Sequence, residues 1–125
     1  MIRVCKPGGR LLVADVALPV EKAAAYDQLE LLRDPSHTHA LTTVEFSALF
    51  LNSCLHDCRQ ASYDVELELE AQLRASFPGP GDDERIRQLV IQDIGVDNLG
   101  IKARYQGNAV VYSVPISVCV GNKNV

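Results

Sequence analysis

The segment Lys6-Pro7-Gly8-Gly9, running straight into Arg10-Leu11-Leu12-Val13-Ala14-Asp15-Val16, constrains the fold more than any other part of the chain. A turn followed by an unbroken apolar run is the pattern of a strand buried on both faces, as in a parallel sheet. The run is too short for a buried helix and Pro19 stops it, so the spacing predicts a strand over Leu11–Val16. A strand covered on both faces needs other elements above and below it. With the helices and strands that follow, the expected class is α/β, or α+β for the chain in isolation. Met1 to Cys5 lead into the turn with little structural signal of their own.

Pro19 opens a helix at the position where a missing N–H costs nothing, and Glu21 adds a favourable charge to its first turn. Ala25, Leu29 and Leu32, with Tyr26 beside them, form an apolar stripe at helical spacing. Asp34 precedes Pro35, which disfavours helical geometry at Asp34 and predicts an end near Arg33. Thr42 and Glu45 make a capping box for a second helix, with Leu41 stapled against Phe46. Leu49, Phe50 and Cys54 continue its buried face. Over residues 61–77 two periods overlap. Val65, Leu67, Leu69, Ala71 and Leu73 alternate with polar residues as in a half-buried strand, while Val65, Leu69, Leu73 and Phe77 recur at helical spacing. A strand through about Leu67 that gives way to a short helix reconciles the two. Pro78-Gly79-Pro80-Gly81 is a firm break. Asp82 or Asp83 caps a third helix carrying Ile86, Leu89, Val90 and Ile94, closed by Gly95. Val110, Tyr112, Val114, Ile116, Val118 and Val120 then alternate with smaller residues in a long last strand. Pro115 within it implies an edge, a bulge or an unpaired position. The architecture expected is a small sheet of about three strands with three to four helices.

One hundred and twenty-five residues suit a single domain over 1–125 rather than two. Hydrophobic residues at 47% and charged ones at 22% exclude a disordered chain, and no apolar run approaches the ~18 residues of a membrane span. Twelve Lys and Arg against sixteen Asp and Glu leave a net charge of −4 and no basic stripe, so nucleic acid is not an expected partner. The absence of Trp and an aromatic content of 6% also count against base-stacking platforms. Cys5, Cys54, Cys58 and Cys119 are few for a disulfide scaffold, and the first residues lack the apolar segment of a secretory signal. Free thiols in the cytoplasm are expected. Cys54, His56 and Cys58, with His37 and His39 upstream, are residue types that bind zinc. A C-x3-C spacing with no second pair is weak support for that, and buried structural thiols are the favoured alternative. No metal is expected.

The stretch Arg3-Val4-Cys5-Lys6-Pro7-Gly8-Gly9-Arg10-Leu11-Leu12-Val13-Ala14-Asp15 resembles a segment of the class I S-adenosylmethionine-dependent methyltransferases that links a helix to the fifth strand of the sheet. The resemblance is closest to enzymes similar to the ubiquinone and menaquinone C-methyltransferases. Leu31-Leu32-Arg33-Asp34-Pro35-Ser36-His37, followed by Leu41-Thr42 and Glu45-Phe46, is similar to one branch of that group. The likeness is good over residues 2–55 and keeps the element order to the end. It implies that the chain supplies the last three strands of a seven-stranded Rossmann-like sheet, mixed, with the final strand antiparallel to its neighbour. Cys5 stands where the family usually has Leu, a mild change. Cys54 stands where a Gly normally ends the helix, a loss of roughly 1 kcal/mol of conformational ease that predicts a helix running on into His56-Asp57.

The larger departure concerns the cofactor. The family holds it with a Gly-rich loop after the first strand and an acidic residue ending the second. Here Gly79-Pro80-Gly81 follows no firmly predicted buried strand and Pro80 removes an N–H, while Gly95 to Gly100 follows a helix. The chain is expected to bind no cofactor tightly by itself, and S-adenosylmethionine only when complemented by a cofactor-binding half.

The resemblance puts His37 on the substrate side as a candidate general base; packing a loop between two helices is the alternative. Arg33 and Asp34 read as an anion contact and its orienting partner, or as a locally paired helix end. Asp15, at the carboxyl end of its strand, sits where open α/β sheets place ligand-contacting groups, and equally suits a cap for the next turn. Glu66, Glu68 and Glu70 form a solvated face. The apolar positions suit a quinone, a lipid or a small aromatic acid alike. A strand Leu11–Val16 whose further neighbour lies outside the chain leaves an edge that aggregates unless covered. Two copies paired antiparallel about a two-fold axis, or a complementary cofactor-binding chain, would cover it. Three functions stay open: the substrate-side half of a methyltransferase, a folded oligomeric fragment without catalysis, and a small binding domain with a pocket around Asp15, Arg33 and His37.

Overall fold

A computed structural model describes residues 1–125. After a single 3-10 turn at Ile2–Val4, the chain forms β1 (Arg10–Leu18), α1 (Val20–Arg33), β2 (Leu41–Thr42), α2 (Thr43–Leu51) and β3 (Leu55–Glu68). Then come α3 (Leu69–Arg74), α4 (Asp82–Gln92), β4 (Arg104–Gln106) and β5 (Ala109–Lys123). The sheet runs β2-β1-β5-β3, with β4 hairpinned onto β5. Strand β5 is antiparallel to β1 and to β3, whereas β1 and β2 pair in parallel. The sheet is mixed, as expected, but has five strands rather than three. The two extra strands are two and three residues long, too short to leave a hydrophobic period in the sequence.

The Lys-Pro-Gly-Gly turn is anchored to the other end of the chain. Gly8 adopts a φ of 73° and its N–H donates to the Lys123 carbonyl at 3.0 Å; the Lys123 N–H donates back to the Gly9 carbonyl at 2.8 Å. Lys123 Nζ donates to the carbonyls of Ile2 and Cys5. This knot fixes where β1 starts against β5.

Helices cover both faces, but only near the carboxyl end of β1. Leu18 faces a core with Tyr26 and Leu29 of α1, Leu73 of α3 and Val90 of α4. Its neighbour Ala17 points to the other face, against Phe46 and Phe50 of α2 and against Cys119. The capping box forms as read: the Glu45 N–H donates to Thr42 Oγ1 and the Thr42 N–H to Glu45 Oε2, both at 3.1 Å. Leu41 packs against the Phe46 cluster.

Strand β1 is not buried on both faces: Leu12 is 61% exposed and Ala14 is exposed too. On the α1 face the helices reach back only to about Val16, and on the α2 face to about Val13. For the same reason β3, expected to be half-buried, leaves Ala61, Tyr63 and Val65 exposed. The cross-strand register Leu12–Val120, Ala14–Val118 and Ala61–Val118 joins these residues into one open apolar face.

Helix α2 stops at Leu51 instead of running on into His56-Asp57. The Ser53 hydroxyl donates to the Phe50 carbonyl at 2.7 Å and accepts from the Leu55 N–H, turning the chain into β3. Conformational strain moves to Asp57, with a φ of 53°, at the bulge between His56 and Arg59. Cys54 is exposed rather than part of the buried face. Helix α4 is capped by Gly81, in the left-handed region at φ 80°, and not by an aspartate side chain. Asp82 and Asp83 instead sit in its first turn, where negative charge is favourable. Pro115 lies in the central strand rather than at an edge. The register with β1 ends at Val16–Ile116, so only β3 faces it, at Asp64. No helix is long and apolar enough to cross a membrane.

Candidate functional site

Helix α1 carries Tyr26, Glu30 and Arg33 at i, i+4 and i+7, which places them on one face. Between that face and the sheet lies a cavity of about 230 Å³. Val16, Val65, Leu67, Val114 and Ile116 give it apolar walls, and Tyr112 and Gln72 join the α1 side chains around it. The tyrosines are only 5% and 6% exposed. Neither hydroxyl has a hydrogen-bond partner, yet no fully enclosed polar side-chain atom of the chain is unpaired. Both hydroxyls therefore open into the cavity. Burial, then the nearby Glu30 charge, raises both phenols, Tyr112 to about 12, so they remain O–H donors at neutral pH.

Arg33 is oriented by Glu30 and not by Asp34. Its Nε donates to Glu30 Oε1 at 3.0 Å and Oε2 at 3.1 Å, and its Nη1 donates to Ser76 Oγ at 3.2 Å. The guanidinium charge is answered inside the chain. Asp34 faces the following loop, where its Oδ1 accepts from the Ser36 hydroxyl at 2.7 Å and the Ser36 N–H at 2.9 Å. Those bonds hold its carboxyl below the usual range.

His37 sits in the same loop, with its N–H donating to the Asp34 carbonyl at 3.0 Å. Its Nε2 lies 2.7 Å from Asp27 Oδ1. An ionised carboxylate only accepts, so Nε2 donates this hydrogen bond. Asp27 also accepts from the Ala40 N–H at 2.7 Å and from His39 Nδ1 at 3.2 Å. His39 Nε2 reaches Glu45 Oε2 at 2.9 Å, inside the capping box of α2. Glu45 and then Asp27 raise the His39 pKa above 6.5, because only the imidazolium donates at both nitrogens. Burial works to raise Asp27, but the bonds from His37, the Ala40 amide and His39 outweigh it and hold the carboxyl below its usual range. This network ties the loop after α1 to the start of α2.

Asp15 stands apart. Side chains alternate along a strand, so with Val16 in the cavity Asp15 points to the opposite face of the sheet. There its Oδ1 accepts the Val16 N–H at 2.7 Å. Neither His37 nor Asp34 lines the cavity. Asp15, Arg33 and His37 thus occupy three places rather than one pocket. The sequence alone does not single out Asp27, Glu30, Gln72 or the paired role of Tyr26 and Tyr112. The spacing of Glu30 between Tyr26 and Arg33 does put it on their helix face; the others meet only through the topology. No group of three or more His, Cys, Asp or Glu side chains is arranged to hold a metal ion. Of the four free thiols only Cys119 is buried; Cys5 is half-buried, and Cys54 and Cys58 are exposed. A larger recess of about 360 Å³ opens at the far end of the sheet. Its charged side chains, Arg10, Asp57 and Arg59, are all exposed, and no buried group is aimed into it.

No protein-family model matches the sequence, and no curated protein matches it. Solved structures share the fold, among them two from Bacillus. The YcgJ protein from Bacillus subtilis superposes with a TM-score of 0.81 at 18% identity, over 99% of this chain and 55% of that one. A protein of Bacillus halodurans C-125 proposed to be a methyltransferase superposes with a TM-score of 0.80 at 16% identity, over 99% of this chain and 60% of that one. The chain has a methyltransferase-like α/β fold and spans a little over half the length of these two neighbours.

Proposed function

We propose that the chain is the substrate-side, carboxyl-terminal half of an S-adenosylmethionine-dependent small-molecule methyltransferase fold, completed by a cofactor-binding half along the open edge of β1. That edge carries the reading. One side of β1 pairs with β5 over Arg10–Val16, while on the other only Ala17 and Leu18 meet β2. The surface beside the edge is apolar and open on both faces. Leu12 lies on one; on the other is a groove of about 440 Å³ lined by Ile2, Leu11, Val13, Leu49 and Leu55. An edge flanked in this way fits a further strand with its own helices. Nearly half of each structural neighbour lies beyond the matched region, room for such a half. The reading holds whether the same polypeptide or a second one carries it. Alone, the chain covers the edge with a second copy, antiparallel about a two-fold axis.

The residues present do not fit the cofactor. Gly79 and Gly81 open α4, but Asp82, Asp83 and Glu84 fill its first turn with negative charge. Gly100 is packed so closely on Leu18 that a Cβ would come within 2.8 Å of it. His37 is the proposed general base: Nδ1 takes a substrate proton while Asp27 holds the ring and stabilises the imidazolium. The cavity beside Tyr26 favours a second reading, a non-catalytic oligomer that binds a small ligand, because this chain alone builds that cavity.

Calorimetry with S-adenosylmethionine tests the first reading, on the chain alone and on the chain purified together with the cofactor-binding half proposed to complete it. No saturable heat is expected from the first sample and stoichiometric binding from the second. Stoichiometric binding by the chain alone, or none by the pair, overturns it.

A further inference from the structure

We infer that the cavity between α1 and the sheet is a binding site for a neutral, single-ring molecule bearing a hydrogen-bond-accepting oxygen. The polar groups there are two phenols, one amide and an ion pair that neutralises itself. Tyr26 and Tyr112 are more than nine-tenths buried, and their hydroxyls have no partner in the chain. A hydroxyl that opens into the cavity without a partner in the chain is free to exchange water for a ligand oxygen. Both phenols stay protonated at neutral pH, so they donate, and the complementary group is an acceptor. Gln72 contributes an uncharged amide at the rim.

Charge selects against anions. Arg33 is the one cation lining the cavity, and Glu30 and Ser76 already engage it. A carboxylate entering would lose its water without gaining a free cation. Size sets the rest. An apolar cavity of roughly 150 Å³ holds a benzene ring, so about 230 Å³ takes one ring with a short substituent. Val16, Val65, Leu67, Val114 and Ile116 supply the apolar contact for the ring. The inference stands on the cavity alone and holds under either reading of the chain's function.

The test is an NMR titration of the isotope-labelled chain with acetophenone and, separately, with benzoate at neutral pH. Acetophenone is expected to shift the amides of Val16, Tyr112 and Val114 saturably, and benzoate to bind at least about tenfold more weakly. Tyr26→Phe and Tyr112→Phe are each expected to weaken acetophenone about two- to tenfold, the range of one neutral hydrogen bond. Val65→Phe, at an exposed strand position that tolerates an aromatic, fills the cavity and abolishes binding without depending on either tyrosine. Absence of saturable shifts with acetophenone overturns the inference. So does benzoate binding as tightly as acetophenone, or acetophenone binding unchanged in the Val65→Phe chain.

Discussion

Gly9 has no room for a side chain. A Cβ there would lie 2.8 Å from the Lys6 carbonyl oxygen and 2.9 Å from Cys5 Sγ, and the carbonyl cannot swing away without releasing the turn. Gly9→Ala is expected to cost about 1–3 kcal/mol by overpacking, measured as a fall in the urea midpoint at unchanged slope; an unchanged midpoint contradicts the packing described. The sequence shows Pro7-Gly8-Gly9 as a turn because glycine and proline act locally. It does not show why the second glycine is needed, since Lys123 locks that turn from the other end of the chain. The tyrosines illustrate the same limit. Tyr26 reads as part of a helical stripe and Tyr112 as one tooth of a strand's alternation, and each is indeed buried. That their hydroxyls share a cavity follows only once β5 lies beneath α1.

At the scale of elements, the junction between α1 and α2 is held by charge. The His39 pKa is raised above 6.5, so its contribution to stability is complete below that value and is lost as pH rises through the folded one. Asp27 and Glu45 are held below their ordinary 3.8 and 4.5, so their contributions are present above those values and are lost as pH falls through the folded ones. The junction is therefore most stable between 4.5 and 6.5. The urea midpoint should fall as pH is raised from about 6 to about 8, and His39→Gln should flatten that fall. Equal slopes for the two chains contradict the bridge to Asp27 and Glu45. Elements with strong local signals were legible: the end of α1 before Pro35, the capping box at Thr42 and Glu45, and the passage from β3 into α3. Strands β2 and β4 were not, because so short a strand is made by its neighbour and not by its own pattern. Nor was the stop of α2, where Ser53 does the work expected of a glycine.

At the scale of the molecule, an apolar run looks the same whether the chain covers it or leaves it for something else to cover. Leu11 to Val16 read as buried on both faces, yet Leu12 is exposed on one and Leu11 and Val13 line an open groove on the other. A composition of 47% hydrophobic residues is that of an average globular domain and does not show which apolar residues stay exposed. The open edge, the flanking apolar surface and the unmatched part of each structural neighbour support the proposal that a further half covers β1. The mass of the 125-residue chain in solution tests that most directly, by multi-angle light scattering at micromolar concentration. The account predicts at least twice the chain mass of 13.7 kDa, returning to 13.7 kDa in a Leu12→Lys, Val13→Lys variant whose edge repels its copy. A wild-type chain that runs as a 13.7 kDa monomer with its helix and strand content intact would contradict it.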